Sequence, residues 1–325
     1  MPAVESNLTD TPGVGSPGIG SPKPVPAIVT NATSKETADG SSSPENPVEL
    51  AEACVELAQA CVELAEVGTE LPAADAGAEP LAGLERCDIW QVPFDCVRLD
   101  QAVDRIQELV ARGTPSYVIT ANLNYVMLHH QLPELQQVTR DADLILADGQ
   151  PIVWRSRRTS QPLPERVAGS ELIYPLAERA SNLGWGVYFL GGQPGVAQTC
   201  AERLQKQFPG MRIAGVESPP YRRLTSEEQE QQIARIQQAK PELLLVAFGQ
   251  PKGDLWIHEH FRACGVPVSI QLGASFDFIA GTAQRAPKIW QKFGMEWAYR
   301  MLRDPKRLVP RYVANAKFLF QQCCG

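Results

Sequence analysis

The sequence predicts an α/β domain built on a doubly wound, mostly parallel sheet, with a basic helical appendage at its C-terminus. From residue 88 onward, short continuous apolar runs alternate with amphipathic helical patterns, which indicates parallel strands covered by helices on both faces. Beyond residue 284, basic and aromatic residues interleave instead. The alternation is typical of a Rossmann-like core, and the change of pattern marks where the appendage begins.

The first 85 residues differ in composition from the rest of the chain. They include no aromatic residue and carry two basic and fourteen acidic side chains, whereas the remainder carries 28 basic and 23 acidic ones. A segment this poor in large apolar side chains is predicted to be a disordered acidic tail. Its one regular feature is a heptad repeat from Val48, which can form a coiled-coil seam or a transient helix. The predicted divisions are residues 1–85 for the tail, 86–284 for the core and 285–325 for the appendage.

The sequence shows neither a secretory signal nor a membrane-spanning run. Its start lacks a basic region followed by an apolar one, and no run approaches the ~18 apolar residues of a spanning helix. We therefore expect a cytoplasmic protein whose cysteines stay reduced.

The predicted core elements follow one another along the chain. Residues 88–98 are predicted as a strand pair, and Asp100–Arg112 as a helix that Asp100 caps and Gly113 ends. The predicted parallel strands are Tyr117–Ala121, Leu144–Ala147, Gly186–Leu190, Arg212–Val216, Leu243–Phe248 and Val268–Leu272. Helical patterns between them include Glu171–Leu183, Val196–Phe208, Ser226–Lys240 and Lys252–Arg262.

Small, hydroxylic or acidic residues follow five of these six strands. They are Thr120 and Asn122, Asp148 and Gly149, Gly191 and Gly192, Gly249 and Lys252, and Ser275 and Asp277. Since ligands of doubly wound sheets bind beyond the carboxyl ends of the strands, these residues predict one crevice at that edge.

A glycine-rich turn, FLGGQPGV from Phe189, is typical of phosphate binding, because glycines let the backbone approach an anion at a helix start. A tight structural turn explains the same glycines equally well. Glu217 ends the next strand, where a dinucleotide fold places its ribose-binding acid. An NAD-dependent oxidoreductase is therefore an alternative, although the turn is not a full G-x-G-x-x-G fingerprint.

Asp148 is the candidate general base. A carboxylate directly after a buried strand is partly desolvated, which favours proton transfer from a hydroxyl group. It can instead cap a helix that begins near Pro151. Asp141 and Asp143 have the spacing of a metal-binding D-x-D motif but precede their strand, at the wrong end of the sheet. Neither a metal nor another cofactor is therefore predicted.

Several cations are candidates for binding an anionic substrate. Arg166 has no acidic neighbour in sequence except Glu165, so it can hold a diphosphate or remain a solvated loop arginine. Lys252 lies near a helix N-terminus, against the usual dipole preference, which favours an anion-facing role. The appendage adds Arg285, Arg300, Arg307 and Arg311. Cations among large aromatics suit a lipid diphosphate at a bilayer surface.

Seven ordered motifs between residues 88 and 320 resemble the WecG/TagA/CpsF glycosyltransferases, glycosyltransferase family 26. They are TANLNYV from Thr120, LADGQPIV from Leu146, RVAGSEL from Arg166, FLGGQPGVA from Phe189, VAFGQPKGDLWI from Val246, FDFIAGTAQRAP from Phe276 and EWAYRMLRDPKRLVPRY from Glu296. The ordered set is far more specific than any single motif.

The resemblance implies an inverting, metal-independent enzyme. It would move a hexose, N-acetylmannosamine or a related sugar, from a UDP-sugar to a polyprenyl-diphosphate-linked sugar in cell-surface polysaccharide synthesis. By its motif Asp148 would be the base, Thr120 and Asn122 would line the acceptor side, and Arg166 would assist at the diphosphate. The substrate-binding candidates are Arg166, Gly191, Gly192, Gly249, Lys252, Asp277, Arg285, Arg300, Arg307 and Arg311.

The resemblance also implies partners and a location. The appendage would contact the inner face of the plasma membrane, and self-association is a further implied interaction. No nucleic-acid partner is expected. A non-catalytic module that binds nucleotide sugars or membranes is a further alternative, and the oxidoreductase does not account for the basic, aromatic C-terminus.

The chain departs from the family at Gly253. The family usually shows a Pro-Lys/Arg-Gln-Glu run where this chain has Pro251, Lys252, Gly253 and Asp254. A missing glutamine at Gly253 removes an amide that can contact the donor, so the identity of the donor sugar stays open.

Overall fold

A computed structural model describes residues 85–284, 299, 301 and 305–324, without the side chains of Arg307, Cys323 and Cys324. The tail with its heptad repeat, and the cations Arg285 and Arg300, lie outside the described residues. The predictions that concern them stay predictions.

The strands form a hairpin and one parallel sheet. They are β1 (Arg86–Ile89), β2 (Val92–Asp95), β3 (Ser116–Ala121), β4 (Leu144–Ala147), β5 (Gly186–Gly191), β6 (Arg212–Glu217), β7 (Leu243–Ala247) and β8 (Val268–Gln271). The hairpin pairs β1 with β2 antiparallel, and the other six strands are parallel in the order β4-β3-β8-β7-β5-β6. The predicted α/β sheet is confirmed, with each of its strands within one residue of its predicted ends.

The helices connect the strands and cover them. They are α1 (Leu99–Arg112), α2 (Leu123–Gln131), α3 (Pro133–Asp141), α4 (Gln150–Ser156), α5 (Gly169–Leu183), α6 (Val196–Gln207), α7 (Ser226–Ala239), α8 (Lys252–Cys264), α9 (Ser275–Ala280) and α10 (Pro305–Cys324). Gly113 ends α1 in the left-handed conformation, as predicted. The predicted cap is wrong, because Arg98 is the N-cap and Asp100 lies in the first turn.

Two buried layers lie on opposite faces of the sheet, because successive side chains of a strand alternate between its faces. Val118 packs into the layer formed with α1, α5, α6 and α9. Its neighbours Tyr117 and Ile119 pack into the layer formed with the hairpin, α2, α3 and α8. Both faces are covered, which is why the strands are almost continuously apolar.

The C-terminal helix α10 packs on the second of these layers. The ring of Phe318 lies 6.1 Å from that of Trp90 in the hairpin and 5.3 Å from that of His130 in α2, between centroids. This contact aligns α10 so that Leu308 and Arg311, one turn apart, reach the carboxyl edge of the sheet. The predicted helical appendage is therefore present over the residues described.

No helix among the described residues is both long and apolar enough to cross a membrane.

The hairpin is fastened to the sheet by a buried carboxylate, that of Asp95. It accepts hydrogen bonds from the backbone N–H of Ile145 in β4 at 2.7 Å and from Nε of Arg86 at 3.0 Å. Burial raises the pKa of Asp95, and the bonds from Ile145 and Arg86 oppose that shift.

The variant Asp95→Ala is expected to lose about 2–4 kcal/mol of unfolding free energy, because it leaves the Ile145 N–H buried without its acceptor. Urea unfolding measures the loss. Asp88→Ala is the control, since Asp88 is exposed in the same hairpin and its carboxylate accepts a turn hydrogen bond from the N–H of Gln91. Equal losses in the two variants would contradict the anchoring role of Asp95.

Candidate active site

The predicted strand-end residues, all except Gly149, converge on one crevice of about 1110 Å³ at the carboxyl edge of the sheet. Its lining includes Thr120, Asn122, Asp148, Gly191, Gly192, Gly249, Lys252, Asp277 and Arg311. These residues come from the ends of five strands and from α10. Small-molecule sites commonly span ~300–1,000 Å³, so the crevice is large enough for a small-molecule ligand.

Asp148 directly follows β4, where its backbone N–H donates to the carbonyl of Ala121 at 2.8 Å. Its side chain keeps 27% of its surface exposed, so the carboxylate is partly shielded yet accessible from the crevice. Gly149, not Asp148, is the N-cap of α4. The interpretation of Asp148 as the helix cap is therefore wrong.

Arg166 lies beside Asp148, with Nη1 at 3.8 Å from Oδ1 of that carboxylate. Its Nη2 donates to Oε1 of Glu171 at 2.6 Å. The loop is held in place because the N–H of Val167 donates to the carbonyl of Ala147, at the end of β4, at 2.9 Å. Glu165, its acidic neighbour in sequence, instead accepts from the N–H of Leu99. Arg166 is thus a fixed cation at the site rather than a solvated loop arginine.

Thr120 and Asn122 help to hold the crevice together. The Thr120 hydroxyl donates to the carbonyl of Gln271 at 2.8 Å, so it can only accept from a further ligand. Oδ1 of Asn122 accepts from the N–H of Tyr125 at 3.2 Å as the N-cap of α2. That cap uses the oxygen of the amide and not its nitrogen.

Gln250 is a residue of the crevice that sequence reasoning did not single out. Its Nε2 donates to the carbonyl of Thr120 at 3.4 Å, and its Oε1 accepts from Nδ2 of Asn124 at 3.4 Å. Nη2 of Arg311 donates to the same oxygen at 3.5 Å. Gln250 therefore links α10 to the end of β3. The only sequence signal was a polar residue between Gly249 and Pro251, which loops commonly contain.

The glycine turn after β5 has a structural reason. Gly191 has φ 111°, and a Cβ on it would lie 2.8 Å from the carbonyl oxygen of Ala247 in the adjacent strand. The N–H of Gly192 donates to that same oxygen at 3.1 Å. A side chain at position 191 is excluded by the positive φ and by the close approach to Ala247. The turn also lines the crevice ahead of α6, so the close packing and a phosphate-binding role are compatible.

A second cation lies near this turn. Lys252 is the first residue of α8, and its Nζ is 5.6 Å from the ring centroids of both Tyr221 and Phe248. Tyr221 is 93% exposed and lines the crevice. Across the crevice, Oδ1 of Asp277 accepts from the hydroxyl of Thr282 at 3.1 Å.

Glu217, the acid on which the oxidoreductase alternative depended, is occupied by other side chains. It accepts hydrogen bonds from Gln232 at 2.8 Å, from Tyr188 at 3.1 Å and from Arg235 at 2.9 and 3.1 Å. Burial raises the pKa of Glu217, but the bonds from Arg235 and Gln232 outweigh it and the pKa is lowered. The carboxylate serves a structural network, so the predicted ribose contact loses its support.

The D-x-D acids lie at the opposite edge of the sheet, as predicted. Asp141 ends α3 and contacts Nε2 of His258 at 2.9 Å, while Asp143 pairs with Arg112 at 2.7 Å. Over the part of the chain that the structure describes, no three His, Cys, Asp or Glu side chains group as a metal site would require.

Polar groups are also buried beneath the start of α8. A Cβ at Gly253 would lie 2.4–2.7 Å from the amide atoms of Gln271, so that amide fills the space over the glycine. Both carboxylate oxygens of Asp254 are buried and lack a hydrogen-bond partner within the described residues. Burial raises the pKa of Asp254 to about 7.

The crevice and the parallel sheet define an α/β protein of the class that binds phosphorylated ligands at its strand ends. Residues 87–324 match the Glycosyl transferase WecG/TagA/CpsF family. The chain belongs to this family, and it is a glycosyltransferase. The resemblance predicted from the seven motifs is confirmed, and the oxidoreductase alternative is set aside.

Two curated relatives carry the same name, "N-acetylglucosaminyldiphosphoundecaprenol N-acetyl-beta-D-mannosaminyltransferase". The chain is 32% identical to the protein of Bacillus spizizenii over 203 residues, which are 61% of this chain and 77% of the relative. It is 31% identical to the protein of Staphylococcus aureus strain MW2 over 235 residues, which are 71% of this chain and 89% of the relative.

The raised pKa of Asp254 predicts a pH-dependent stability. An unfolded aspartate titrates near 3.8, so between that value and about pH 7 the folded protein retains a proton that the unfolded chain has lost. The contribution of Asp254 to stability is therefore greatest below the unfolded pKa and is lost as pH rises towards 7. Between pH 5 and 8 the ionisation of Asp254 is expected to lower the free energy of unfolding by about 2 kcal/mol, and Asp254→Asn is expected to remove this decrease.

Urea unfolding of both proteins at several pH values measures the difference. Burial lowers the pKa of His129 and of His260, but both histidines are present in both proteins and cancel in the comparison. Stability curves that stay parallel from pH 5 to 8 would show that Asp254 does not carry the dependence.

Proposed function

We propose that this glycosyltransferase moves N-acetylmannosamine or a related hexose from a UDP-sugar to a polyprenyl-diphosphate-linked sugar, with inversion and without a metal. The observation that carries the proposal is the placement of Asp148 with Arg166, 3.8 Å apart, at the edge that also holds the glycine turn. The names of the relatives, which specify a diphosphoundecaprenol-linked acceptor and a mannosaminyl group, support the substrate class.

The donor is proposed to lie along the carboxyl edge from β5 towards β4. The diphosphate would bind at the turn of Gly191 and Gly192, ahead of α6, where the lack of side chains lets it approach the backbone. Lys252 would contribute positive charge, and the exposed ring of Tyr221 lies beside it. The hexose would then extend past the ends of β7 and β8 towards Asp148.

Transfer is proposed to be a single displacement. The Asp148 carboxylate takes the proton of the acceptor hydroxyl while that oxygen forms a bond to the anomeric carbon. The bond between the anomeric carbon and the diphosphate breaks at the same time, and UDP leaves with the electron pair. Because attack and departure occur on opposite faces, one step inverts the configuration. Arg166 lies beside the base, with its Nη1 3.8 Å from Oδ1 of Asp148.

Cationic side chains are proposed to neutralise the departing diphosphate in place of a metal. Lys252 and Arg311 both line the crevice, and Arg166 lies beside it. Charged donors in a partly closed site stabilise developing charge strongly. Arg285, Arg300 and Arg307 are proposed to add to this positive surface from the appendage.

The appendage is also proposed to bring the enzyme to its lipid-linked acceptor at the inner face of the plasma membrane. Arg311 on α10 already reaches Gln250 inside the crevice. The exposed face of the same helix carries Lys317 and Phe320, a cation and a large apolar side chain. Such a face suits the interface of a bilayer with anionic headgroups.

The activity is tested by measuring UDP release from UDP-N-acetylmannosamine with a short-chain polyprenyl-diphosphate-N-acetylglucosamine. Release that requires the acceptor, with a disaccharide product whose new linkage is inverted, supports the proposal. Full activity after chelation of divalent cations supports the metal-independent step. Donor binding without turnover would favour a non-catalytic nucleotide-sugar module instead.

The variant Asp148→Asn is expected to reduce turnover at least ~100-fold while donor affinity stays near normal, because the amide cannot accept the proton. Steady-state kinetics and donor titration measure the two effects. Asp143→Asn is the matched control, since Asp143 lies just before the same strand at its opposite end and pairs with Arg112. Near-normal turnover in Asp148→Asn would remove this residue from the mechanism.

Loss of the cation in Arg311→Ala is expected to lower kcat/KM for the acceptor about 10- to 100-fold, the range for removing a charge-assisted contact. A soluble short-chain acceptor keeps membrane attraction out of the measurement. Lys317→Ala, an exposed position on the same helix, should change the value less than 2-fold. If both variants behave alike, Arg311 acts only through the general charge of α10.

A further inference from the structure

Gln271 is a buried amide at the edge of the crevice. It is the last residue of β8, only 2% of its surface is exposed, and it belongs to the crevice lining. Neither Oε1 nor Nε2 has a hydrogen-bond partner among the residues that the structure describes. An amide buried without partners costs about 1–3 kcal/mol per group, so a natural sequence that keeps one at a site calls for a functional reason.

The neighbouring glycine makes room for this amide. The amide atoms of Gln271 lie where a side chain at Gly253 would begin, within 2.4–2.7 Å of a Cβ built there. Those separations are shorter than any real Cβ contact, and the obstructing atoms belong to a nearly buried side chain. A glutamine at 253 and one at 271 would therefore compete for the same space. The space that a glutamine side chain at position 253 would enter is occupied by the amide of Gln271, at the end of β8.

The position of Gln271 along the sheet edge indicates which part of a ligand it meets. Asp148 follows β4 and the glycine turn follows β5, while β8 lies between them in the order β4-β3-β8-β7-β5-β6. In a transfer reaction the hexose must lie between the base and the diphosphate, because the anomeric carbon is bonded to one and attacked beside the other. The end of β8 is thus where the hexose passes.

Backbone contacts fix this strand end relative to the site. The hydroxyl of Thr120 donates to the carbonyl of Gln271 at 2.8 Å, and the N–H of Leu272 donates to the carbonyl of Val246 at 2.9 Å. The main chain is therefore held on both sides, and the side chain of Gln271, which lines the crevice, is the part of the residue that can meet a ligand.

We propose that the Gln271 amide hydrogen-bonds a hydroxyl or acetamido group of the donor hexose, and that Gly253 is glycine because this amide needs the space. The inference rests on the proposed function and assigns a sugar-recognition residue within it. An amide both donates and accepts, which suits a sugar substituent that can do the same. The nucleotide and the diphosphate are contacted by other groups.

Gln271→Met tests the assignment, because methionine keeps the length and approximate volume of the side chain but removes both hydrogen-bonding groups. Calorimetric titration with UDP-N-acetylmannosamine and with UDP alone separates sugar contacts from nucleotide contacts. We expect the UDP-sugar to bind about 10-fold more weakly, the loss for one good hydrogen bond, and UDP to bind within 2-fold of the original protein.

Ser269→Ala is the matched control. Ser269 is two residues earlier on the same strand and is buried, and its hydroxyl has no partner within the described part of the chain. It does not line the crevice, so its variant should leave both affinities unchanged.

A reciprocal pair of substitutions tests the shared space. Gly253→Gln alone should lower thermal stability and weaken UDP-sugar binding, because two amides then compete for one position. Gln271→Ala alone should weaken UDP-sugar binding without that clash. The double variant Gly253→Gln with Gln271→Ala should bind the UDP-sugar more tightly than either single variant, since one amide again occupies the space.

Each outcome decides the proposal. If Gln271→Met lowers stability but leaves UDP-sugar affinity unchanged, or weakens UDP and UDP-sugar equally, the amide does not recognise the hexose. A double variant no better than the worse single one overturns the shared-space argument. If the original protein binds UDP but not the UDP-sugar, or binds neither, the proposed function itself fails. That failure is seen in the original protein and is therefore distinct from any effect of the variants.

Discussion

The parallel alignment of six strands is the constraint on which the site depends. Parallel strands end at one edge, so residues separated by more than 100 positions in sequence, such as Thr120 and Gln271, become hydrogen-bonded neighbours. Helices on both faces bury the strands, and the carboxyl edge is the place where loops can carry polar groups. The catalytic candidates therefore need no special local fold, only positions directly after a strand.

Features that depend on residues close together in the sequence could be predicted, whereas contacts between distant side chains could not. Apolar runs and their spacing located every strand of the sheet within one residue, since burial of a strand on both faces leaves a continuous signal. The position of Asp148 at the crevice was predictable because an acid directly after a buried strand is itself a local feature. Side-chain partners were not predictable: Arg166 pairs with Glu171, five residues further along the chain, and Glu217 accepts hydrogen bonds from Arg235 and Gln232.

At the start of α8, several residues lower the stability of the fold in a region that we propose for ligand binding. Gly253 gives up helix propensity, Asp254 is buried with its pKa raised to about 7, and Gln271 holds an amide with no described partner. Each of these departures lowers stability by itself, yet they lie together at one edge of the crevice. Natural sequences keep such local conflicts mainly at functional sites, and the amide of Gln271 lines the crevice, where a ligand can complete its hydrogen bonds.

The C-terminal helix joins two roles that are usually separate. One face of α10, with Leu308, Arg311, Asn315 and Phe318 at helical spacing, is turned towards the protein. Phe318 packs against the hairpin and α2, while Arg311 reaches Gln250 in the crevice. Because both side chains belong to one rigid helix, packing at the hairpin fixes how deeply the arginine enters. Any displacement of α10 would therefore alter the position of the arginine and the hairpin contact together, and under the proposed function this would link acceptor binding to the charge at the leaving group.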